Sequence, residues 1–242
     1  MRNKKLFALL AVVLFVTAMT SAQTADEIIG KYLTAIGGKE QISQITSVYM
    51  EGSLDAMGNQ GTIKITQVNG KGQKQEIDVM GTQVVMCVTD SLGWQINPMS
   101  GNYSAEIVSD DQYKATRDQI YLGGPFVKDY AAEGYKVELQ GQETVADVNA
   151  YKIQVISPSN VTYLYYFHPE TAYLIRTVLT GEMMGQVMNI ETTFSDYQKT
   201  DVGYVLPYSI ETNYGGQFFL VTKLSKVEIN QPVDLAIFAK PL

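Results

Sequence analysis

The sequence is short of the residues on which most catalytic and metal sites depend. Its 242 residues include one cysteine, Cys87, and one histidine, His168. A single cysteine excludes an intramolecular disulfide, and a single histidine excludes both a histidine-rich metal site and a two-histidine mechanism. We therefore expect no metal site and no cofactor.

Basic side chains are also few. The chain has 18 Lys and Arg against 25 Asp and Glu, and three of the basic residues, Arg2, Lys4 and Lys5, stand at the very start. The part after residue 22 holds 15 basic and 25 acidic side chains, a net charge of −10 without a basic stripe. This balance argues against nucleic-acid binding and against electrostatic docking on anionic lipid.

Long hydrophobic runs are missing except for residues 6–16, which follow the three basic residues and precede the small residues Thr20, Ser21 and Ala22. This order is typical of a secretory signal peptide, and the run is too short for the roughly 20 residues that cross a bilayer. We predict a signal peptide over residues 1–22. Because no cysteine follows it to carry a lipid, we expect a periplasmic protein with no stable membrane anchor.

The first element after residue 22 has the periodicity of a helix. Thr24 and Glu27 have the spacing of a capping box, and Gly37-Gly38 provides a stop signal. The apolar residues between them recur every three or four positions: Ile28, Ile29, Tyr32, Leu33 and Ile36. The pattern predicts an amphipathic helix.

From residue 46 onward the apolar period changes from helical to alternating. Val48, Met50, Gly52 and Leu54 alternate with the more polar residues between them. Similar segments, separated by turn signals every 8–12 residues, predict about eleven antiparallel strands in one domain over residues 23–242. A meander of this kind closes or nearly closes into a barrel.

One stretch, near residues 109–133, lacks the strand pattern. Ser109 followed by Asp110 suits a helix N-terminus, Tyr113 and Arg117 fall at helical spacing, and Gly123 begins a stop signal. We predict a helical insertion in the β domain.

The remaining reactive residues favour structural roles. His168 stands at a predicted strand end directly before Pro169, and Cys87 lies in an apolar strand where a buried, inert thiol is expected. The sequence supplies no nucleophile and base pair, so we expect no enzymatic activity. A hydrolase is therefore the function that the sequence supports least.

Several segments together carry a family resemblance. They comprise residues 25–29 with 35–40, 93–98, 124–130, 134–139 with 150–153, and 194–197 with 206–211. In these segments the chain resembles the outer-membrane lipoprotein-sorting proteins of Bacteroidota, which are LolA-like, and the likeness covers residues 24–242.

The resemblance implies a mainly β fold with a helical lid, in which an incomplete antiparallel barrel of about eleven strands encloses an apolar cavity. It also implies a carrier that takes acylated lipoproteins from an inner-membrane exporter and passes them to an outer-membrane acceptor. A 16-carbon acyl chain exposed to water costs about 12 kcal/mol at roughly 0.8 per CH₂, so a carrier must bury it. We expect a carrier for lipoproteins or other acyl-chain ligands.

Alternation and the resemblance together suggest nine residues that face the interior and bind the ligand: Met50, Ile63, Ile65, Met86, Trp94, Tyr113, Phe126, Ile190 and Leu206. LolA carriers are known for an arginine that latches the lid. Arg117 and Arg176 are the two arginines after residue 22. Each is a candidate to pair with a carbonyl or carboxylate of the lid or barrel, and neither is assigned as the latch.

The same fold allows a different function. A barrel of this size commonly fills its interior with its own side chains. The chain would then be a non-carrier envelope sensor or a partner-binding scaffold, and uptake of an acyl probe distinguishes the two hypotheses.

Overall fold

The fold consists of one large sheet with a few short helices. The computed structural model describes residues 23–183 and 186–241, so the predicted signal peptide lies outside the described residues. The helices are α1 (Ala25–Ala35), α2 (Lys39–Ser43) and α3 (Asp110–Thr116), with 3₁₀ segments at Pro98–Ser100, Arg117–Ile120, Gly124–Val127 and Leu235–Phe238. The strands are β1 (Ser47–Ala56), β2 (Asn59–Val68), β3 (Gly72–Val79), β4 (Thr82–Thr89), β5 (Gly93–Asn97), β6 (Asn102–Ile107), β7 (Lys136–Val145), β8 (Val148–Ile156), β9 (Thr162–Phe167), β10 (Leu174–Met183), β11 (Gln186–Lys199), β12 (Val205–Tyr214) and β13 (Phe218–Ile229).

The thirteen strands form a single antiparallel sheet in the order β6-β5-β4-β3-β2-β1-β13-β12-β11-β10-β9-β8-β7. Except for β6 and β7, each strand pairs with its sequence neighbours, and β1 also pairs with β13. The sheet is left open between β6 and β7, which are its two edges. The incomplete antiparallel barrel is confirmed, with thirteen strands where about eleven were expected. The alternation does not reveal β6, because most residues of this edge strand are exposed on both faces.

Helix α1 forms as the sequence predicts. The Glu27 backbone N–H donates to Thr24 Oγ1, and the Thr24 N–H donates to Glu27 Oε2, both at 3.2 Å. These two bonds satisfy backbone donors that a helix N-terminus otherwise leaves unpaired. The predicted apolar stripe is buried against the sheet, and its members retain 2–7% exposure. The sheet face that α1 covers is called the inner face below, and the opposite one the outer face.

The segment between β6 and β7 is helical and lies against the inner face. Ser109 is the N-cap of α3, where its Oγ accepts a hydrogen bond from the Gln112 N–H at 3.3 Å. The two following 3₁₀ segments bury Ile120 and Phe126. This segment, residues 109–134, is called the insertion.

The C-terminal 3₁₀ segment covers part of the outer face. Phe238 is buried with Val85, Cys87 and Trp94 in a cluster on β4 and β5. Trp94 Nε1 donates to the Phe238 carbonyl at 2.8 Å. Across the ranges 23–183 and 186–241, the helices all fall short of the length and apolar content that a membrane span requires.

Candidate functional site

One end of the inner face carries an apolar cluster. The connections β1–β2, β3–β4, β5–β6, β8–β9 and β12–β13 all lie at the same end of the barrel, because neighbouring strands are antiparallel. Four of them, residues 55–60, 78–82, 97–102 and 213–218, are called the hairpin rim. Beneath it lies the rim-end cluster of buried residues: Leu54, Ala56, Ile63, Ile65, Ile77, Val79 and Val84.

Two glycines allow the sheet to curl around this cluster. A Cβ atom on Gly52 would lie 2.2 Å from the Lys223 carbonyl oxygen, and one on Gly61 would lie 2.2 Å from the Asp78 carbonyl oxygen. Both clashes are with backbone atoms of the adjacent strand. Only glycine permits this close approach, as at the tight bends of barrels.

The other end of the inner face is filled by α1 and the insertion. Ile29 and Leu33 of α1 are 2% and 3% exposed, and Phe126 of the insertion is 1% exposed, in one core cluster. The Phe126 ring lies 5.0 Å from the Tyr165 ring and 6.2 Å from the Phe167 ring, both in edge-on geometry. Edge-on contacts of this kind add to the stability gained from burial.

The structure brings some of the predicted ligand-binding residues together. Met50 stands opposite Ile65 in the β1–β2 register, and Ile63 is opposite Gly52, so all three side chains share the inner face near the rim-end cluster. Ile190 lies on the same face, opposite Tyr214 of β12. Met86 of β4 is opposite Gln75 of β3, on the same face, and is 36% exposed.

The other predicted residues lie elsewhere. Leu206 and Phe126 are buried in the cluster around α1. Trp94 is opposite Cys87 and lies on the outer face, beneath Phe238. Tyr113, on α3, donates from its hydroxyl to the Thr89 carbonyl at 3.3 Å. The rim-end residues Leu54, Ile77 and Val84 were not among the predicted set, although the alternation of β1 and β3 marks the first two.

The two arginine candidates occupy different sides of the molecule. Arg117 is exposed at the end of α3 and lines a polar pocket of about 160 Å³ with Asp118, Glu133 and Tyr135. Arg176, on the outer face of β10, has its Nη1 3.8 Å from Glu191 Oε2 and lines a second pocket of about 170 Å³. The Arg176 pair joins two strands and does not involve the insertion.

Uncharged groups attach the insertion to the barrel strands, whereas Asp26 of α1 accepts from the Tyr130 hydroxyl and Lys39 of α2 donates to the Lys128 carbonyl. The Tyr163 hydroxyl donates to the Ala115 carbonyl at 2.8 Å, and Gln67 Nε2 donates to the Gln119 carbonyl at 2.9 Å. The Gly70 N–H donates to the Ile120 carbonyl, also at 2.8 Å. These bonds reach the insertion from β9 on one side and from β2 and the β2–β3 turn on the other.

Burial changes the acid–base behaviour of several groups at this end. Desolvation raises the pKa of Tyr163 and of Tyr165 above the usual range, so both hydroxyls stay neutral. Desolvation also raises the pKa of Asp118, against a lowering effect of its hydrogen bond with Tyr135. The two tyrosine hydroxyls therefore add no charge to the inner face.

His168 and Cys87 have the structural roles that the sequence favours. His168 Nδ1 accepts the backbone N–H groups of Glu170 and Thr171 at 3.1 and 3.2 Å, which closes the β9–β10 turn. Cys87 is 4% exposed, and burial raises the pKa of its thiol to about 12. Among the described residues, no group of three or more His, Cys, Asp and Glu side chains is arranged to hold a metal ion.

Comparisons with known proteins give a fold but no sequence relative. No family model matches the chain, and no curated protein matches it. A LolA superfamily protein from Nitrosomonas europaea superposes with a TM-score of 0.60 at 12% identity, covering 90% of this chain and 99% of that one. The chain has the LolA-like fold.

Two further solved structures agree. A domain described as an outer membrane lipoprotein-sorting protein, from Vibrio parahaemolyticus, has a TM-score of 0.57 at 10% identity and covers 89% of this chain and 96% of that one. A DUF1329 family protein from Desulfovibrio piger has a TM-score of 0.56 at 16% identity, covering 88% and 97%. At these identities the LolA-like likeness establishes the architecture.

Proposed function

We propose that the protein is an exported, periplasmic carrier or binding protein for acyl chains, borne by lipoproteins or lipids. The observation that carries this proposal is the inner face of the incomplete barrel. Its rim-end cluster and the cluster around α1 both pack against Met50, while Gln67, Gln73 and Gln75 lie beside them on β2 and β3. The insertion that covers this face is attached to the barrel strands by the uncharged hydrogen bonds described above. The LolA-like fold and the signal-peptide pattern of residues 1–22 support the same function.

An acyl chain enters the interior only if something moves, and the energies favour the insertion. Helix α1 with its C-cap buries five large apolar side chains, whereas the insertion buries three: Ile120, Leu122 and Phe126. At about 1.5–3 kcal/mol per side chain, exposing them costs about 8–15 kcal/mol for α1 and about 5–9 kcal/mol for the insertion. A 16-carbon chain regains about 12 kcal/mol, which exceeds the apolar part of the cost of moving the insertion.

The space that Phe126 fills then becomes the ligand site. Its ring contacts Tyr32, Tyr165 and Phe167, all on the inner side of the barrel. Those three rings stay in place when the insertion moves, because they belong to α1 and β9. They present an apolar surface that an acyl chain covers as well as Phe126 does.

The direct test is lipid extraction and mass spectrometry on the mature chain, purified from its native periplasm without detergent. We expect stoichiometric acyl cargo. An apo protein that also excludes an added fluorescent fatty acid would overturn the proposal.

A variant tests the route of entry. Tyr163→Phe removes the hydroxyl that holds Ala115 and should favour the displaced insertion, so the apparent affinity for a fluorescent fatty acid should rise about 2–10-fold. Tyr208→Phe is the control. It removes a hydroxyl from the inner face of β12 that makes no hydrogen bond with a described residue of the insertion. Equal affinities in the two variants would refute the role of the insertion.

A second candidate function is a partner-binding scaffold. The observation that favours it is the filling of the inner face around α1 by buried side chains of α1 and the insertion. Failure to bind any acyl probe, together with a stable protein partner in pull-downs, would favour this alternative.

A further inference from the structure

Large apolar side chains are exposed along the hairpin rim. Met57 and Met80 at the tips of two hairpins are 59% and 79% exposed, and Met99 in the β5–β6 connection is 62% exposed. Tyr103 and Phe219, next to the rim on β6 and β13, are 80% and 47% exposed. Isolated exposed apolar residues are ordinary, but a row of them on successive turns of one edge requires an explanation.

Folding does not explain the two tip methionines. Met57 and Met80 have φ of 56° and 54°, in the left-handed region, and each precedes a glycine that also has positive φ. Asn, Asp and Gly suit this position in a two-residue hairpin turn, whereas an unbranched apolar side chain gains nothing there. Methionine is therefore a strained choice at both tips.

The turns are held together by other residues. Asp55 Oδ1 accepts the Gly58 N–H at 2.7 Å, and Asp78 Oδ1 accepts the Gly81 N–H at 3.2 Å. Both turns thus have the sequence Asp-x-Met-Gly. The aspartate and the glycine form the turn, and the methionine between them extends into solvent.

The end of the barrel opposite the hairpin rim has a different composition in its turns. Its five connections, residues 69–71, 90–92, 146–147, 168–173 and 200–204, contain no methionine. Ile107, at the end of β6, is 56% exposed there, and Val202 in the β11–β12 connection is 36% exposed. Exposed methionine is thus a property of the hairpin rim and not of turns in this protein generally.

The spacing and charge of the rim indicate what it contacts. Met57 and Met80 lie on hairpins two strands apart, a separation of roughly 10 Å, so their side chains project side by side from one end of the sheet. A bilayer surface accepts separate apolar side chains at such spacings. The four rim connections contain no Lys or Arg, and the chain is acidic overall, so anionic lipid is disfavoured.

The rim is also continuous with the apolar interior. Ala56 and Val79, which directly precede the two tip methionines, are buried members of the rim-end cluster. Contact between the rim and a membrane therefore places the apolar inner face next to the bilayer.

We propose that Met57, Met80 and Met99 dock the hairpin rim on the surface of a bilayer of zwitterionic phospholipid. This interaction does not require a ligand in the interior, so it can be tested separately from acyl binding.

The test is flotation of residues 23–242 with vesicles of phosphatidylcholine and phosphatidylethanolamine. We expect the protein to float with the vesicles, and Met57→Asn with Met80→Asn to lower the partition coefficient by about tenfold or more. Asparagine is compatible with the left-handed turn conformation, so the double variant should unfold at an equal or higher urea concentration. Val202→Asn, at the opposite edge, is the matched control and should bind as the unmodified protein does.

Three results would overturn the proposal. The first is no flotation of the unmodified protein. The second is equal binding by the double variant. The third is binding that strengthens with added phosphatidylglycerol and weakens with salt, since that behaviour indicates electrostatic attachment elsewhere. If sedimentation instead shows self-association that the double variant abolishes, a second copy of the chain covers the rim. Fluorescent fatty-acid binding, measured in the same samples, reports separately on the carrier function.

Discussion

Replacement of Phe126 by alanine measures how tightly the insertion is packed into the barrel. The side chain is 1% exposed, and its ring has edge-on contacts with Tyr32, Tyr130, Tyr165 and Phe167 at centroid distances of 5.0–6.4 Å. Truncation of a buried phenylalanine costs about 3–5 kcal/mol, because apolar burial is lost and a cavity remains. We expect the free energy of unfolding to fall by that amount.

Urea unfolding followed by the fluorescence of Trp94 is a suitable assay. Trp94 is the one tryptophan, is 2% exposed, and lies on the outer face, so its emission reports global unfolding and not local changes around Phe126. Phe219→Ala is the control, because this phenylalanine is 47% exposed and should cost well under 1 kcal/mol. A loss below about 1 kcal/mol for Phe126→Ala would show that the insertion is not packed against the barrel in solution.

Three further predictions concern the backbone, the pH dependence and the thiol. Gly52→Ala should destabilise the fold by about 1–3 kcal/mol or more, since its Cβ would lie 2.2 Å from the Lys223 carbonyl oxygen. Gly30→Ala, which has open space around it on the surface of α1, should stabilise the fold by about 0.5–1 kcal/mol. Urea unfolding measures both changes. Burial raises the pKa of Asp118, so the folded state binds this proton more tightly than the unfolded state, and the stability that the proton contributes is lost as the pH rises through the raised pKa. Asp118→Asn should therefore gain stability relative to the unmodified protein as the pH rises. A difference in unfolding free energy that does not change with pH would refute this. Cys87, whose pKa burial raises to about 12, should react with a thiol reagent at pH 8 only in urea, and rapid labelling of the folded protein would contradict its burial.

Local signals in the sequence were sufficient for the elements that are amphipathic. The Thr24 and Glu27 capping box and the apolar stripe of α1 were both predicted, and both are present in the structure. In β1 and β2 one face is buried and the other is exposed, so alternation identified Met50, Ile63 and Ile65 as inner-face residues. A pattern of this kind predicts orientation because water covers only one side.

The face on which Trp94 lies could not be predicted in this way. In β4 the neighbours Val84 and Val85 are both buried, and so are Cys87 and Val88, because the C-terminal 3₁₀ segment covers the outer face there. With both faces apolar, the sequence contains no alternation that fixes the register. The expectation that Trp94 faces the interior depended on a choice between two equally apolar faces.

The sequence by itself determined the element types: the capped first helix, the succession of antiparallel strands and the helical insertion, since each depends on short-range periodicity and on turn residues. Only the tertiary structure decided that β1 pairs with β13 while β6 and β7 stay apart, and that Phe126 fills the space beside α1. The same is true of the hairpin rim, where Met57 and Met80, distant in sequence, lie at one edge. These features depend on contacts between residues far apart in the chain, which local patterns do not record.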